Sequence, residues 1–523
     1  MSATSAAAVR PMILPGAEWE TVLARARAAV PEAFDSDGQA LNLMEGAWVE
    51  RGHPKPALSP LDGTPLARLP MVDLDTARRA VRFAAREFER WSALDLDERR
   101  LRVSACLEEL SEHRDLLTLL LVWEIGKPHR QSAVEVERTL SGVAWYVDEI
   151  EAMLAGRTPI GLVSNIASWN YPLSVLAHAV MVQALAGNSV IAKTPTDGGL
   201  ITLTVAFAIM RRHGLPVSLL SGSGGALSEA LVRNDQVAAL AFVGGKSNGR
   251  DVAASLYDRG KRYMLEMEGV NAYGVWGYSD WPALAAQIRK GFEYAKQRCT
   301  AYVRWVVERE IFPDFLDTYL EVVRDLRYGH PLLVNSPDEG PPDLDFGPLI
   351  NSAKVEELRV RYSEAVGAGG VMLHRGEFDE SRFLPDQDMS SYMRPVALLN
   401  VPRSCALHHE EPFGPVDTFV TVDRIEELIA EMNVSNGALV ASVACDDRSV
   451  AERVAGELRA FKVGVNRIRS RGDREEPFGG VGESWKGCFV GGEHLVRAVT
   501  EGPPGERLCG NFPDVTLLPD GRG

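Results

Sequence analysis

The sequence predicts an α/β fold built from two doubly wound domains. The chain has 523 residues, which is too long for one ordinary core, so two or three domains are expected. After Arg157, the short apolar runs GLVSNIA, NSVIAKTP, VSLLSGSG and ALAFVGG each end in small or turn-forming residues. Helical stretches such as SVLAHAVMVQALAG separate these runs, and this alternation predicts parallel strands joined by crossover helices.

Composition narrows the class of protein. The net charge is −16, from 56 basic and 72 acidic residues, which argues against general binding of nucleic acid or acidic membranes but allows a local basic pocket. No stretch approaches the length of a membrane-spanning helix, and the N-terminus lacks the pattern of a signal peptide. The six cysteines lie far apart without a CxxC pair. We therefore predict no metal site or disulfide framework, and a cytoplasmic location.

Helices and a second αβ series flank these runs. Residues 73–126 carry apolar side chains at three- and four-residue spacing, which predicts helices. After Met264 the runs YMLEMEG, YVRWVVERE, GVMLHRG and FVTVDR alternate with helical segments, so a second domain of similar texture is expected. The Pro-rich residues 330–342 and the tail after Gly502 are expected to be surface or linker segments.

Three side chains could carry chemistry. A lone cysteine such as Cys299 is usually a small buried apolar residue. Glu266, however, lies in an apolar run where a carboxylate is costly to bury, and a carboxylate near a thiol can activate water. Asn170 follows the first predicted strand, where its amide could donate to an oxyanion. Each feature is weak by itself.

The order of several motifs strengthens this interpretation. From about Leu58 to Thr500 the chain contains WSALDLDERR, EIGKP, ASWNYPL, Lys193, AFVGG, LEMEGVNA, KQRCTA, DFGPLIN, EEPFGPV and PFGGVG, and it thereby resembles the aldehyde dehydrogenase superfamily. The resemblance implies that Cys299 attacks the aldehyde carbon, that Asn170 and the Cys299 amide hold the oxyanion, and that Glu266 activates water to release the acid. The alternative for Glu266 is a structural carboxylate bonded to loop amides.

The resemblance also implies a domain plan. Residues 1–265, which include the N-terminal helical region, would form a dinucleotide-binding domain completed by about 463–500. Residues 266–462 would form the catalytic domain, and 501–523 a C-terminal tail.

A nicotinamide dinucleotide is the implied hydride acceptor. Lys193 and Thr196 would contact the adenosine ribose, and the glycines would allow close approach of the backbone to the pyrophosphate. The implied cofactor-binding residues are Trp169, Lys193, Thr196, Gly222, Gly224, Phe242, Gly244, Gly245, Met267, Glu411 and Phe413.

Thr196 bears on the choice between NADP and NAD. Members that prefer NAD often have Glu at this position, and its absence removes repulsion of a 2′-phosphate. NADP is therefore preferred here over NAD. The alternatives are that Thr196 only caps a helix, or that Asp197 restores discrimination against NADP.

An arginine-rich loop is expected over the substrate pocket. Residues 466–478 contain Arg467, Arg469, Arg471 and Arg474, and such a loop is either solvated or a grip for a carboxylate or phosphate. Asn466, Arg471, Gly472, Pro477, Phe478 and Arg138 are similar to positions of non-phosphorylating glyceraldehyde-3-phosphate dehydrogenases. This similarity implies an anionic, including a phosphorylated, aldehyde bound by Arg138, Tyr171, Arg471 and Phe478.

Departures from the family pattern leave other functions open. Glu268 adds a second carboxylate beside Glu266 and could crowd the nicotinamide, while Lys296 could favour a Cys299 thiolate if it points inward. Ala179, beside His178, replaces an expected Lys. The alternatives are therefore a CoA-acylating enzyme, which the presence of Glu266 disfavours, and a catalytically impaired dinucleotide-binding or structural homologue.

The family's oligomerisation hairpin looks deleted between AWYVDEIEAMLAGR and GLV. A homodimer is therefore expected rather than a tetramer, with a monomer as the remaining alternative. No nucleic-acid or membrane partner is expected.

Overall fold

The computed structural model describes residues 11–256, 259–435, 437–471 and 474–512. Within these ranges the α-helices are α1 (Trp19–Ala29), α2 (Leu74–Ser92), α3 (Leu96–Glu112), α4 (Arg114–Ile125), α5 (His129–Leu154), α6 (His178–Leu185), α7 (Leu200–Arg212), α8 (Gly224–Leu231), α9 (Lys246–Leu256), α10 (Trp281–Gly291), α11 (Phe312–Arg324), α12 (Ser352–Gly367), α13 (Ala406–His409), α14 (Ile425–Met432), α15 (Arg448–Glu457) and α16 (Glu493–Ala498).

The strands of the same ranges are β1 (Met12–Ile13), β2 (Asn42–Met44), β3 (Ala47–Val49), β4 (His53–Leu58), β5 (Pro65–Met71), β6 (Thr158–Pro159), β7 (Leu162–Ile166), β8 (Ser189–Lys193), β9 (Val217–Leu220), β10 (Val237–Gly244), β11 (Arg262–Met267), β12 (Asn271–Val275), β13 (Tyr302–Glu308), β14 (Leu333–Val334), β15 (Val371–Arg375), β16 (Val396–Leu399), β17 (Val416–Val422), β18 (Val440–Ala444), β19 (Lys462–Val465), β20 (Trp485–Cys488), β21 (Thr500–Glu501) and β22 (Gly510–Asn511).

The first sheet has nine strands, in the order β22-β20-β11-β10-β7-β8-β9-β2-β3. Its centre, β11-β10-β7-β8-β9, is parallel, and every residue of β8 and β9 is buried. Such strands have helices on both faces, which explains why their sequences are continuously apolar rather than alternating. The runs singled out in the sequence are β7, β8, β9 and β10, and the prediction of parallel strands is confirmed.

One strand lies in a different sheet from the one expected. The run YMLEMEG was assigned to the second αβ series, but β11 pairs in parallel with β10, with Glu266 opposite Val243. The first sheet therefore contains Glu266 and Met267, and the assignment of this run to the second series was wrong. An apolar run does not encode its pairing partner, so the last strand of one sheet looks like the first strand of the next.

The second sheet has seven strands, in the order β15-β16-β17-β13-β12-β18-β19. The runs YVRWVVERE, GVMLHRG and FVTVDR supply β13, β15 and most of β17, as expected, and β15 is an antiparallel edge strand. The two sheets together confirm the predicted α/β fold class.

The predicted helices of residues 73–126 are α2, α3 and α4. Asp73 and Asp95 cap the first two, because each carboxylate accepts a hydrogen bond from the backbone N–H three residues later. The long helix α5 follows, and residues 155–161 lead from it to β7, with β6 paired to β21 on the way. No hairpin stands in this described connection, and its deletion relative to the family stays a prediction. Among the described residues, no helix is long and apolar enough to cross a membrane.

Candidate active site

Cys299 lies in the turn that precedes β13, close to Glu266 and Asn170. All three side chains line one cavity of about 230 Å³, together with Tyr171 and Glu411. Glu266 reaches it from β11, Asn170 from the loop after β7, and Cys299 from the second sheet. The cavity is therefore built where the two sheets meet.

The turn before Cys299 has an unusual backbone. Tyr294, Ala295 and Lys296 have φ values of 59°, 51° and 58°, in the left-handed region that side chains other than glycine rarely adopt. Beyond the turn, the Asn271 amide donates to the carbonyls of Cys299 at 2.8 Å and Ala301 at 2.9 Å. Asn271 thus fixes the segment that carries the thiol, a role that sequence reasoning missed although its motif LEMEGVNA had been singled out.

The electrostatics keep the thiol protonated at rest. Burial raises the pKa of the Cys299 thiol well above its usual range, and the nearby Glu266 carboxylate raises this pKa further. Only the thiolate is a strong nucleophile, so Cys299 needs a base that takes its proton. Glu266, 3% exposed, is the carboxylate that is placed to do so.

Asn170 is held from both ends. Its side-chain NH2 group donates to the Gln297 backbone carbonyl at 3.0 Å, and its backbone carbonyl accepts from the Lys127 ammonium at 2.9 Å. Lys127 forms a buried ion pair with Glu135 and lies 4.0 Å from the centre of the Tyr171 ring. The position of Asn170 therefore depends on a buried charge.

Glu135 also fixes the chain that follows Asn170. Its carboxylate accepts from the backbone N–H groups of Leu173 at 3.1 Å and Ser174 at 3.3 Å, at the start of the π-helical turn Pro172–Ala177. Sequence reasoning missed Lys127 and Glu135. The signal available was a lysine in the EIGKP motif, directly after a helix whose buried face is apolar.

A cleft of about 1100 Å³ opens at the carboxyl ends of β7, β8 and β10. Seven of the residues expected to bind the dinucleotide line it, namely Trp169, Lys193, Thr196, Gly224 at the start of α8, Phe242, Gly244 and Gly245. No side chain caps α8, so its first N–H groups are available to an anion. Gly222 does not line the cleft. A Cβ there would lie 2.4 Å from a Leu227 methyl group, so tight packing accounts for this glycine.

Lys193 is a buried cation of the cleft, which Arg233 and Arg259 also line. Burial lowers its pKa to about 8, and Asp197 opposes that shift. Its ammonium donates to the Thr194 carbonyl at 2.7 Å. Asp197 and Glu229 also line the cleft, so the local charge is mixed.

Glu411 and Glu268 also line the cavity around Cys299. Glu411 is 2% exposed, and among the described residues no well-aligned hydrogen bond reaches its carboxylate oxygens, although the nearby Gly269 N–H favours the charged form. Burial and the neighbouring Glu268 raise the pKa of Glu411 well above its usual range. Buried oxygens without well-aligned hydrogen bonds fit the hydroxyl groups of a ribose. Phe413, Met267 and Glu268 line the same cavity, and Glu268 also accepts from the Lys246 N–H at 2.9 Å.

An arginine-lined pocket of about 360 Å³ also reaches Cys299. Its lining includes Arg138, Tyr171, Arg471, Arg474 and Phe478. The Arg471 guanidinium lies 3.4 Å from the Glu266 carboxylate and 4.9 Å from the centre of the Phe478 ring.

The charge balance of this pocket is positive. His178 also lines it, and burial together with Arg471 and Arg474 lowers the His178 pKa to about 3, so this imidazole is neutral at pH 7. Glu476 is the acidic residue of the lining, but it pairs with Lys462 and Arg469, each at 2.6 Å.

Only part of the arginine loop reaches this pocket. Arg471 and Arg474 line it, whereas Arg469 pairs with Glu476 and Arg467 is exposed elsewhere. Gly472 lies outside the described residues.

Lys296 does not face the thiol. Its ammonium forms an ion pair with Asp417 at 2.9 Å in which both side chains are fully buried, and it donates to the Tyr302 carbonyl at 2.8 Å. The idea that Lys296 stabilises a Cys299 thiolate is therefore wrong, because the cation points into the core of the second sheet.

Known proteins resemble this chain over most of its length. The model of the aldehyde dehydrogenase family matches residues 48–502. A 3,6-anhydro-alpha-L-galactose dehydrogenase of Vibrio sp. (strain EJY3) is 25% identical, over 83% of this chain and 92% of that protein. A probable NADP-dependent succinate-semialdehyde dehydrogenase of Sinorhizobium fredii is 27% identical, over 82% and 87%.

Solved structures share the fold. A betaine aldehyde dehydrogenase of Staphylococcus aureus in complex with NAD+ has a TM-score of 0.80 at 23% identity, covering 92% of this chain and 96% of that one. An NADP-dependent glyceraldehyde-3-phosphate dehydrogenase of Bacillus halodurans, complexed with NADP, has a TM-score of 0.78 at 24% identity, covering 88% and 98%.

Proposed function

The chain belongs to the aldehyde dehydrogenase family, and from that premise we propose that it oxidises an anionic aldehyde to a carboxylic acid with NADP as the preferred hydride acceptor. One observation carries the proposal. Cys299, Glu266 and Asn170 line a single cavity, which shares Trp169 with the dinucleotide cleft and Tyr171 and Cys299 with the arginine-lined pocket.

The proposed reaction begins at Cys299. Glu266 takes the thiol proton, and the sulfur attacks the aldehyde carbon to give a thiohemiacetal. The Asn170 amide turns from the Gln297 carbonyl to the developing oxyanion, which the Cys299 backbone N–H also binds. A bound nicotinamide would accept the hydride lost by the thiohemiacetal carbon, which leaves a thioester. Glu266 gives up the first proton to solvent and then takes a proton from the water that attacks the thioester; the C–S bond breaks, the acid is released and the Cys299 sulfur keeps the electron pair.

The dinucleotide is expected in the cleft beside Lys193. We infer that Lys193 and Thr196 bind the adenosine ribose and that Glu411 binds the second ribose. NADP is preferred because Thr196 brings a hydroxyl where a carboxylate would repel a 2′-phosphate. Asp197 works in the other direction, so the preference is expected to be moderate.

The charge of the pocket supports an anionic aldehyde. Arg138, Arg471 and Arg474 line it, and guanidinium groups suit carboxylates and phosphates. The names of two relatives indicate the same class, since one is described as acting on succinate semialdehyde and another on glyceraldehyde 3-phosphate. A CoA-acylating activity is not favoured, because Glu266 is present to activate water.

Assembly and location complete the proposal. We infer a homodimer, because the connection from α5 to β7 leaves no hairpin for a larger assembly in the described chain. A cytoplasmic location is inferred from six cysteines that form no disulfide in the described structure. Sedimentation equilibrium tests the first inference, and a tetramer would contradict it.

Turnover tests the activity directly. Reduction of NADP and of NAD is measured with succinate semialdehyde and with pentanal, a neutral aldehyde of similar length, with and without CoA. Cys299→Ser should abolish oxidation, whereas Cys405→Ser, at another half-buried cysteine, should retain it. Persistent oxidation by the Cys299 variant, or turnover that requires CoA, would overturn the mechanism.

The cofactor preference has its own test. Thr196→Glu should lower kcat/KM with NADP about tenfold or more and leave NAD much less affected, because it restores a carboxylate. Thr196→Gln, which is similar in size but neutral, is the matched control. Equal losses with both cofactors in both variants would contradict the assignment of Thr196.

A further inference from the structure

The base and the substrate pocket share one arginine. The Arg471 guanidinium lies 3.4 Å from a Glu266 carboxylate oxygen, with 35% of the Arg471 side chain and 4% of the Glu266 side chain exposed. Arg471 also lines the pocket that leads to Cys299. The carboxylate that must take a proton is therefore paired with a cation that also faces the substrate pocket.

We propose that Arg471 is a substrate-controlled restraint on Glu266: the anionic group of a bound aldehyde competes for the guanidinium and thereby releases the base. This inference rests on the proposed function and adds a role to Arg471 beyond binding. The exchange conserves charge pairs, because one carboxylate or phosphate replaces another beside the same cation. No covalent step is involved.

The surroundings favour such an exchange. Glu266 is nearly inaccessible to solvent, whereas Arg471 is partly exposed, so the arginine is the partner that can move toward an incoming anion. The ring of Phe478, 4.9 Å from the guanidinium carbon, offers a flat apolar surface along which it can slide. A separation of 3.4 Å is also longer than an optimal charge-assisted hydrogen bond, so a better-placed anion can compete.

Other charges of the pocket do not provide the same link. Arg474 donates to the Ser141 hydroxyl at 2.6 Å and forms no contact with Glu266. Arg138 lines the pocket from α5, and no described residue forms an ion pair with it. These two arginines can attract an anion, but only Arg471, within the described chain, connects the anion to the base.

Competition for one cation predicts thermodynamic coupling. If Glu266 and the anion compete for Arg471, removal of the Glu266 charge should tighten anion binding, and this gain should require Arg471. A through-space effect of the Glu266 charge would persist without Arg471. The two explanations therefore differ in a double-mutant cycle.

The experiment measures binding of anions that cannot react with Cys299. The probes are 4-hydroxybutyrate for a carboxylate and glycerol 3-phosphate for a phosphate, titrated by calorimetry into the full chain. Glu266→Gln should tighten binding of the better probe about fivefold relative to wild type. In the Arg471→Gln background the same change should give less than about twofold. The matched control is Arg474→Gln. This variant should bind the probe more weakly, but adding Glu266→Gln to it should still tighten binding about fivefold.

Two results would overturn the proposal. One is an equal gain from Glu266→Gln with and without Arg471, and the other is no gain in either background. The better probe distinguishes a carboxylate from a phosphate as the ligand. Because the titration needs no turnover, its outcome is independent of whether the enzyme oxidises aldehydes, so failure of the inference and failure of the proposed function remain separate results.

A kinetic measurement adds a second readout. With pentanal, Arg471→Gln should raise kcat, since the base is no longer restrained. With succinate semialdehyde the same variant should raise KM. A kcat with pentanal at or below that of wild type would overturn the restraint.

Discussion

Replacement of Lys127 tests whether a buried charge positions Asn170, the proposed oxyanion donor. Lys127 is 1% exposed and its partner Glu135 2% exposed, and the ammonium donates to the Asn170 carbonyl at 2.9 Å. Lys127→Met therefore leaves the Glu135 carboxylate buried without its cation, which should lower the free energy of unfolding by about 3–5 kcal/mol. It also releases Asn170, and loss of one oxyanion donor should lower kcat by about 100-fold or more.

A second variant separates these two effects. In Lys127→Met/Glu135→Gln neither side chain is charged, yet the Gln carbonyl can still accept from the Leu173 and Ser174 N–H groups. Most of the lost stability should return, because a buried pair is replaced by neutral groups of similar size. The kcat should stay low, since nothing holds the Asn170 carbonyl.

The assays are urea unfolding followed by tryptophan fluorescence, and aldehyde oxidation followed by cofactor reduction. If the double variant regains kcat together with stability, Lys127 acts through the fold alone and the positioning argument is refuted. A kcat within about threefold of wild type in the single variant would refute it as well.

Three further results are expected. Alkylation of Cys299 by iodoacetamide should accelerate about tenfold per pH unit from pH 6.5 to 8.5 without a plateau, because burial raises its pKa; a plateau near pH 7 would contradict this. Burial lowers the pKa of the His178 imidazole from 6.5 to about 3 in the folded protein. Between these pH values the unfolded chain binds a proton that the folded protein does not, so the free energy of unfolding decreases as the pH falls from 6.5 toward 3. His178→Gln should reduce the loss by about 1.4 kcal/mol per pH unit between pH 6 and 4, measured by urea unfolding, and an unchanged slope would show that the imidazole protonates freely. Lys296→Met should lower the free energy of unfolding by about 3–5 kcal/mol, since Asp417 loses its buried partner, while the pH profile of Cys299 alkylation stays as in wild type; a shifted profile would place the cation near the thiol.

Sequence alone predicts those strands whose apolar residues form a recognisable pattern within one short stretch of chain. Strands β8 and β9 are buried at every residue, so their continuous apolar runs are visible in a single stretch of chain. The pairing of β11 was not visible, because the choice between β10 and β12 as neighbour depends on contacts far along the chain. Short antiparallel strands such as β20, with four residues, carry too little pattern to be found.

The candidate site divides in the same way. Cys299, Glu266 and Asn170 were located by motifs, and their assigned roles remain proposals. Lys127, Glu135 and Asn271 act through contacts between distant segments, which no spacing rule contains. Lys296 was misjudged because sequence proximity to Cys299 says nothing about direction, and the left-handed turn sends its side chain the other way.

The strand order of the first sheet also has a consequence for how the protein is made. In this sheet, β2, β3 and β7 to β11 come from residues 42–267. Strand β20, which pairs with β11 opposite Glu266, comes from residues 485–488. At translation speeds of about 5–20 residues per second, β11 would wait roughly 10 to 40 seconds for this partner. In that interval the whole seven-stranded sheet, from residues 271–465, is synthesised, while β11, which carries Glu266, remains an open edge able to pair with other chains. A prematurely terminated chain would therefore contain most of the folded protein and still expose β11 as an unpaired edge.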